Sequence, residues 1–500
     1  MTMARQFCNF IGGKWIKTGS HGTFLNISPA DTSDMVGEFP ASGAAEVKEA
    51  VAHARKAYKS WRLVPAPKRA EIIKAAGDLL VKRKEDIAQL MTREMGKILI
   101  ETRGDVQEGI DTAYMSAGEG RRLFGDTVPC EFPNKFGMSV RMPVGVCGMI
   151  TPWNFPMAIP TWKIFPALVC GNTVVFKPAS DTPATAVRLV ETLLEAGLPE
   201  NCIQLVHGSG SKVGMPMVEH PDVNVISFTG SSEVGRTINV AAAAQLKRVS
   251  LELGGKNAQI VMDDAQLDLA LEGVLWGAFG TTGQRCTATS RLILHKKIAK
   301  KFTEMLVERA KKLRVGNGLD PKTEMGPLVN KGQRDVVAQY VEIGLKEDKA
   351  QLILGGEALT KGAYSKGWFF QPTIFNRVKP KMRLAQEEIF GPVLSILEAG
   401  SLEEAIEVLN DCAYGLSSSI YTQDVNAAFR AMRDIEAGIT YINGPTIGAE
   451  VQLPFGGVKA TGNGHREASH TVLDIFTEWK SIYVDYSGKL QRAQIDTAQN

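Results

Sequence analysis

Between Val144 and Glu252 short apolar runs alternate with amphipathic stretches, and no other feature constrains the fold as much. Val144–Ile150, Thr173–Phe176, Val223–Phe228 and Val249–Glu252 read as strands. Between them, Thr182-Pro183 starts a helix by cap and N1 proline that ends at Gly197-Leu198-Pro199, and a second helix runs from Gly235. Strands and helices at this pitch form βαβ units, so a parallel sheet is expected. Upstream, the first third reads as helices. Ser42 can cap one whose apolar face is Val47, Val51, Ala54 and Trp61. Pro67 can open a second, with Ile72, Ile73, Ala76, Leu79 and Leu80 at helical spacing, and a third runs from Lys84 to Gly96. A second α/β region spans about 255–453, and Thr477–Tyr486 alternates as a strand would.

A chain of 500 residues exceeds one core, so two or three domains are expected. An apolar fraction of 44% and a charged fraction of 22% suit an ordinary soluble globular protein. The net charge of +3 gives no reason to invoke nucleic acid or an anionic membrane, and no apolar run is long enough to span a bilayer. The opening Met1–Phe7 lacks the apolar stretch of a signal peptide. Seven cysteines (Cys8, Cys130, Cys147, Cys170, Cys202, Cys286, Cys412) are scattered without a Cys-x-x-Cys pair, which argues against zinc and against a disulfide framework. No metal is expected, and a reducing compartment, the cytoplasm, is. The seven histidines form no pattern; His207 and His465 read as structural.

Chemistry concentrates in four runs. Cys286 lies in Gly283-Gln284-Arg285-Cys286, 34 positions after Glu252 in Glu252-Leu253-Gly254-Gly255-Lys256. A thiolate can attack a carbonyl carbon, and a separate carboxylate can activate water to release the resulting thioester. Thr281, Thr282, Gly283 and Thr287 surround the thiol with small residues and leave room for a substrate. Arg285 either lowers the thiol pKa by its charge or points away, as neighbours in an extended segment do. Gly254 and Gly255 are expected to turn the chain sharply and give the Glu252 carboxylate access to water. Pro152-Trp153-Asn154-Phe155-Pro156 offers a side-chain amide for an oxyanion, and Glu387-Glu388-Ile389-Phe390-Gly391-Pro392 lies far downstream. A Gly-x-Gly-x-x-Gly fingerprint is absent: in Gly208-Ser209-Gly210-Ser211-Lys212-Val213-Gly214 the third glycine falls one place late. Phe228–Gly235 instead follows a strand and opens a helix, where backbone amides and the Ser231 hydroxyl could hold a pyrophosphate.

All four runs, in this order and at about this spacing, resemble the aldehyde dehydrogenase superfamily, from about Phe10 to Tyr486. The resemblance implies a Rossmann-like cofactor domain (1–122 and 144–254), an α/β catalytic domain (255–455) and a small β oligomerisation element (123–143 and 466–490), in a homodimer or homotetramer. It makes Cys286 the nucleophile and Glu252 the general base. Asn154, with the Cys286 N–H, becomes the oxyanion hole, and Lys163 a residue that moves protons or holds cofactor. Trp153, Lys177, Ser180, Gly230, Ser231, Gly235, Glu388 and Phe390 would bind NAD or NADP. Ser180 stands where relatives that use only NAD carry a glutamate, and Lys177 would attract a 2′-phosphate, which points to NADP. Glu252 favours hydrolysis over transfer to coenzyme A, and the intact set Cys286, Glu252 and Asn154 argues against a non-catalytic role. The substrate is expected to be an aldehyde. The segments Pro445–Glu450 and Thr461–Arg466 look most like bacterial α-ketoglutaric semialdehyde dehydrogenases, with a broad-specificity enzyme as the alternative.

Overall fold

Five parallel strands lie side by side in the order Arg248–Glu252, Val225–Thr229, Val146–Ile150, Thr173–Lys177, Ile203–Leu205. Antiparallel strands Asn9–Ile11 and Lys14–Ile16 extend this sheet to seven. The computed structural model describes residues 5–496; residues 1–4, part of the segment read as lacking a signal peptide, lie outside the described residues. Val146–Ile150 is buried at every position, as a strand covered on both faces must be. Its Val146 and Ile150 pack with Val47, Val51 and Ala54 of the Ala44–Trp61 helix. Cys147 and Met149 face the opposite core, with Ile73, Ala76 and Leu80. Chain order reverses at Val146–Ile150, because the next strands add on one side of it and the later ones on the other. In such sheets a crevice opens at the carboxyl ends of the strands at the reversal. The loops that begin at Thr151 and Gly230 flank that crevice.

A second seven-stranded sheet runs Gln351–Leu354, Thr373–Asn376, Val393–Ala399, Arg291–His295, Ala258–Val261, Ser417–Tyr421, Ile439–Ile442, parallel except for its first strand. Thr477–Asp485 does form a strand, and pairs antiparallel with Lys135–Pro143 along its whole length. Thr127–Val128 completes that three-stranded sheet. Among the described residues no helix is long and apolar enough to cross a membrane.

Several local expectations need correction. The start of the chain is not helical: Asn9–Ile11, Lys14–Ile16, Thr23–Ile27 and Met35–Pro40 are strands, too short for periodicity to reveal and held by pairing. The Ala44–Trp61 helix is preceded by Gly43, whose N–H donates to Glu46; Ser42 instead accepts from Asn9 Nδ2 at 2.8 Å. The second and third helices are one, Ala66–Met95, because no breaker separates them at Lys84. It ends at Gly96 in the left-handed region, as expected. Leu99–Glu119 is a further helix. The helix assigned to start at Gly235 begins at Ser232, with Ser231 as its cap.

Candidate active site

Cys286 follows three consecutive left-handed residues, Thr281 (φ 53°), Thr282 (φ 59°) and Gly283 (φ 68°). Each threonine there costs about 1–2 kcal/mol, so neighbouring groups must hold the turn. The Thr281 N–H donates to Glu101 Oε1 at 2.6 Å, and Thr282 Oγ1 donates to the Gly326 carbonyl at 2.9 Å. Gln284 Oε1 accepts from the Val329 N–H at 2.9 Å. Arg285 Nε donates to Thr281 Oγ1 at 2.8 Å and its Nη2 to Glu101 at 3.2 Å, between the rings of Phe155 and Trp276. Arg285 therefore braces the turn and does not sit over the sulfur. Burial, with Glu388 and Glu252 nearby, pushes the Cys286 thiol up to about 12, against the Thr287 and Cys286 N–H groups that favour the thiolate. A base has to take its proton as it attacks.

Glu252 ends its strand buried, and among the described residues neither carboxylate oxygen has a protein partner. Burial and the nearby Glu467 hold its carboxyl well above the usual carboxylate range, with Lys163 and Arg466 opposing. Such a group keeps its proton to higher pH than an ordinary carboxyl and suits proton transfer with a nearby water. Gly254 and Gly255 serve close approach and not a left-handed turn. A Cβ on Gly254 would lie 2.2 Å from Glu388 Oε2, and one on Gly255 2.6 Å from the Cys286 carbonyl. Asn257 ties the same segment to the thiol loop by donating to the Cys286 carbonyl at 2.7 Å. Asn154 is buried and donates through Nδ2 to the Gln284 carbonyl at 3.2 Å, so among the described residues one N–H of that amide has no partner. Lys163 is fully buried, ion-paired with Glu467 and 2.9 Å from Ser227 Oγ. It faces the Glu252 side of the site and does not line the crevice of Trp153 and Glu388.

Cys286 stands between two cavities. One is lined by Trp153, Asn154, Gly230, Ser231, Glu388 and Phe390, and lies at the strand reversal. There Trp153 meets Phe390 edge-on at 5.4 Å, and Glu388 Oε1 accepts from the Gly255 N–H at 2.8 Å. Burial raises the Glu388 carboxyl to about 7. This cleft fits a dinucleotide: glycines and a helix N-terminus on one wall, a ring on the other, and a carboxylate with one oxygen uncommitted. Gly235 lies inside the helix and brings it against Leu253, where a Cβ would sit 2.4 Å from that side chain. Lys177 and Ser180 lie apart from the cleft, one strand over. Lys177 is buried and lowered to about 8 by that burial, with Nζ on the Pro178 carbonyl at 2.8 Å. Ser180 Oγ reaches the Gly208 carbonyl at 3.4 Å, beside the Gly210–Gly214 turn that carries the exposed Lys212.

The other cavity is walled by Phe155, Ile159, Trp162 and Phe455, with Glu108, Glu252, Arg285 and Glu467 as its charged groups. A family model for the aldehyde dehydrogenase family matches residues 15–482. The chain belongs to the aldehyde dehydrogenase family. It is 43% identical over 484 residues to an α-ketoglutaric semialdehyde dehydrogenase of Bacillus subtilis, spanning 97% of this chain and 99% of that one. To a 2,5-dioxopentanoate dehydrogenase of Saccharolobus solfataricus it is 42% identical, over 95% of this chain and 98% of the other. Its fold superimposes on betaine aldehyde dehydrogenase from Staphylococcus aureus, solved with NAD+, with a TM-score of 0.94 at 33% identity, covering 97% and 96% of the two chains.

Sequence reasoning missed Glu101, Asp105 and Glu108, which reach this enzyme's site from a helix some 180 positions before the thiol. Their spacing of four and three places them on one face of Leu99–Glu119, and Glu101 and Asp105 are buried. Acids repeating on the face a helix buries are the signal that could have found them. Asp105 accepts from the Ala158 N–H at 2.7 Å and from Lys97 Nζ at 2.7 Å, and so fixes the helix that follows Asn154. Glu467 was likewise missed, in a loop with no periodicity.

Proposed function

We propose that this enzyme oxidises a short aldehyde bearing a distal carboxylate to the corresponding dicarboxylate, with NADP or NAD and with water as the acyl acceptor. The observation that carries this reading is Cys286 at the junction of the two cavities, with Arg285 lining the substrate side. The Nη1 of Arg285 has no protein partner among the described residues, while its other nitrogens brace the turn, so it is positioned for a carboxylate. The names of the two curated relatives denote one such substrate, a five-carbon keto acid ending in an aldehyde.

Cys286 Sγ bonds to the aldehyde carbon as its proton passes to base. The free Asn154 N–H and the Cys286 N–H stabilise the alkoxide that forms. Bound NAD(P) supplies the acceptor for the hydride that leaves this carbon. Glu252, without a protein hydrogen bond, takes a proton from the water that cleaves the thioester, and Glu467 and Lys163 behind it offer a path for that proton. Glu388 and Phe390 would hold the nicotinamide riboside half of the cofactor, and Gly230 and Ser231 its pyrophosphate. Lys177, Ser180 and the nearby Lys212 favour NADP. In this reading 1–122 and 144–254 form the cofactor domain and 255–455 the catalytic one. The exposed edge of Thr477–Asp485, with Trp479 and Tyr483, joins subunits in a cytoplasmic homodimer or homotetramer. A kcat/KM panel of plain and carboxylated aldehydes, run with both cofactors, tests the proposal. Equal efficiency for matched plain and carboxylated chains would leave a broad-specificity aldehyde dehydrogenase.

A further inference from the structure

One acid in the substrate cavity has no part in the chemistry above. Glu101 is committed to Thr281 and Arg285, and Asp105 to Ala158 and Lys97. Glu108, on the same helix face, lines the cavity with Arg285 and Cys286, and its carboxyl makes no hydrogen bond to protein among the described residues. The Arg285 charge is already balanced by Glu101. A substrate carboxylate entering here brings a further negative charge beside Glu108, and two ionised carboxylates at close range repel.

We infer that Glu108, in its neutral form, donates a hydrogen bond to the distal carboxylate of the substrate beside Arg285, and that its ionisation turns carboxylated aldehydes away. The inference rests on the proposed substrate class and adds the group that makes the cavity's selectivity depend on pH. Glu108 is half-buried, and the loss of water around its carboxyl is the largest influence raising it, to about 8; Asp105 and Asp111 of its own helix add to this, while Arg285 and Lys97 oppose it. Tyr441, from the Ile439–Ile442 strand, also lies near Glu108, with Glu450 beyond it, and its phenol, raised to about 12, stays neutral. Cys286, Glu252 and Glu467 share the cavity. Below pH 8 the carboxyl is therefore a donor, and an O–H donating to a carboxylate is among the stronger hydrogen bonds.

The test compares kcat/KM for 5-oxopentanoate with that for pentanal, an uncharged chain of the same length, from neutral to alkaline pH at saturating cofactor. Their ratio cancels steps common to both aldehydes, and kcat/KM reports the free enzyme's ionisations. In the wild type the ratio should be level below pH 8 and fall about tenfold per pH unit well above it. Glu108→Gln still donates but cannot ionise, so its ratio should stay level throughout. Glu108→Leu should lower the ratio at neutral pH about tenfold or more. A wild-type ratio far above one that never falls, or a Gln variant that keeps the fall, overturns the role of Glu108 and leaves the substrate class standing. A ratio near one at every pH overturns the substrate class and the inference with it.

Discussion

The two cavities that meet at Cys286 are built by different means. The cleft of Trp153, Gly230 and Glu388 is assembled from backbone amides, glycines and turns that follow directly from parallel strands, with a single carboxylate on its wall. The cavity of Phe155, Arg285 and Glu108 is assembled from side chains of a distant helix, the nucleophile turn and two late loops. Backbone on a cleft wall stays the same whatever the side chains, whereas side chains from separate elements can be exchanged one at a time to suit one aldehyde. The thiol, near Glu388 and Glu252, is where the two walls meet.

The sharpest way to break this comparison is to remove the group common to both sides. Cys286→Ala should abolish turnover while cofactor affinity, read by fluorescence titration, changes little, because the cleft wall does not depend on the sulfur. Activity at a tenth of wild type would remove Cys286 as the nucleophile. Glu252→Gln comes next, with steady-state turnover reduced on the order of 10²–10⁴-fold. A burst of NAD(P)H equal to active sites should precede it, since only thioester hydrolysis needs the carboxylate. The absence of both burst and acyl adduct by mass spectrometry would sink that division of labour. The sign of the pH effect follows from the Glu252 environment. Its carboxyl is held well above the usual range, so hydrolysis should fail as pH drops through that raised value, long before ordinary carboxylates protonate. Single-turnover hydrolysis of the acyl-enzyme against pH checks it. Asn154→Ala should cost about 10²–10³ in kcat with KM less affected, as loss of one oxyanion donor does. An equal rise in KM at constant kcat would show the amide to bind ground state and alkoxide alike.

The same contrast explains what the sequence made legible. The parallel sheet and the strand-to-helix turn at Gly230–Ser231 could be read from runs of adjacent residues, whereas Cys286, Glu252, Asn154 and Glu388 were brought to one site by the family resemblance. Glu101 and Glu108 left only the helical repeat of acids as a signal, because nothing in a helix names the distant turn that Glu101 braces or the cavity that Glu108 lines. Arg285 was legible as a charge but not as a direction: the left-handed turn at Thr281–Gly283 aims it at Glu101, and no local pattern announces two threonines at positive φ. The early strands failed for a related reason, since segments of three residues such as Asn9–Ile11 take their conformation from the sheet edge they meet.

The smallest expected effect lies farthest from the thiol and asks whether the backbone-built side discriminates at all. Ser180 is partly exposed and uncharged, and its hydroxyl only touches the Gly208 carbonyl, so nothing at that position repels a 2′-phosphate. Lys177 supplies positive charge nearby, although burial lowers it to about 8 and Nζ rests on the Pro178 carbonyl. One charged hydrogen bond to the phosphate would be worth roughly 1.5–3 kcal/mol, enough for a preference of about tenfold or more. NADP should accordingly be used at least as efficiently as NAD, and more so below pH 8, where Lys177 stays charged. Ser180→Glu should cut kcat/KM for NADP far more than for NAD, while the burst that reports on Cys286 persists with either cofactor. Should the wild type favour NAD by tenfold, or the substitution weaken both cofactors alike, the phosphate does not meet this corner.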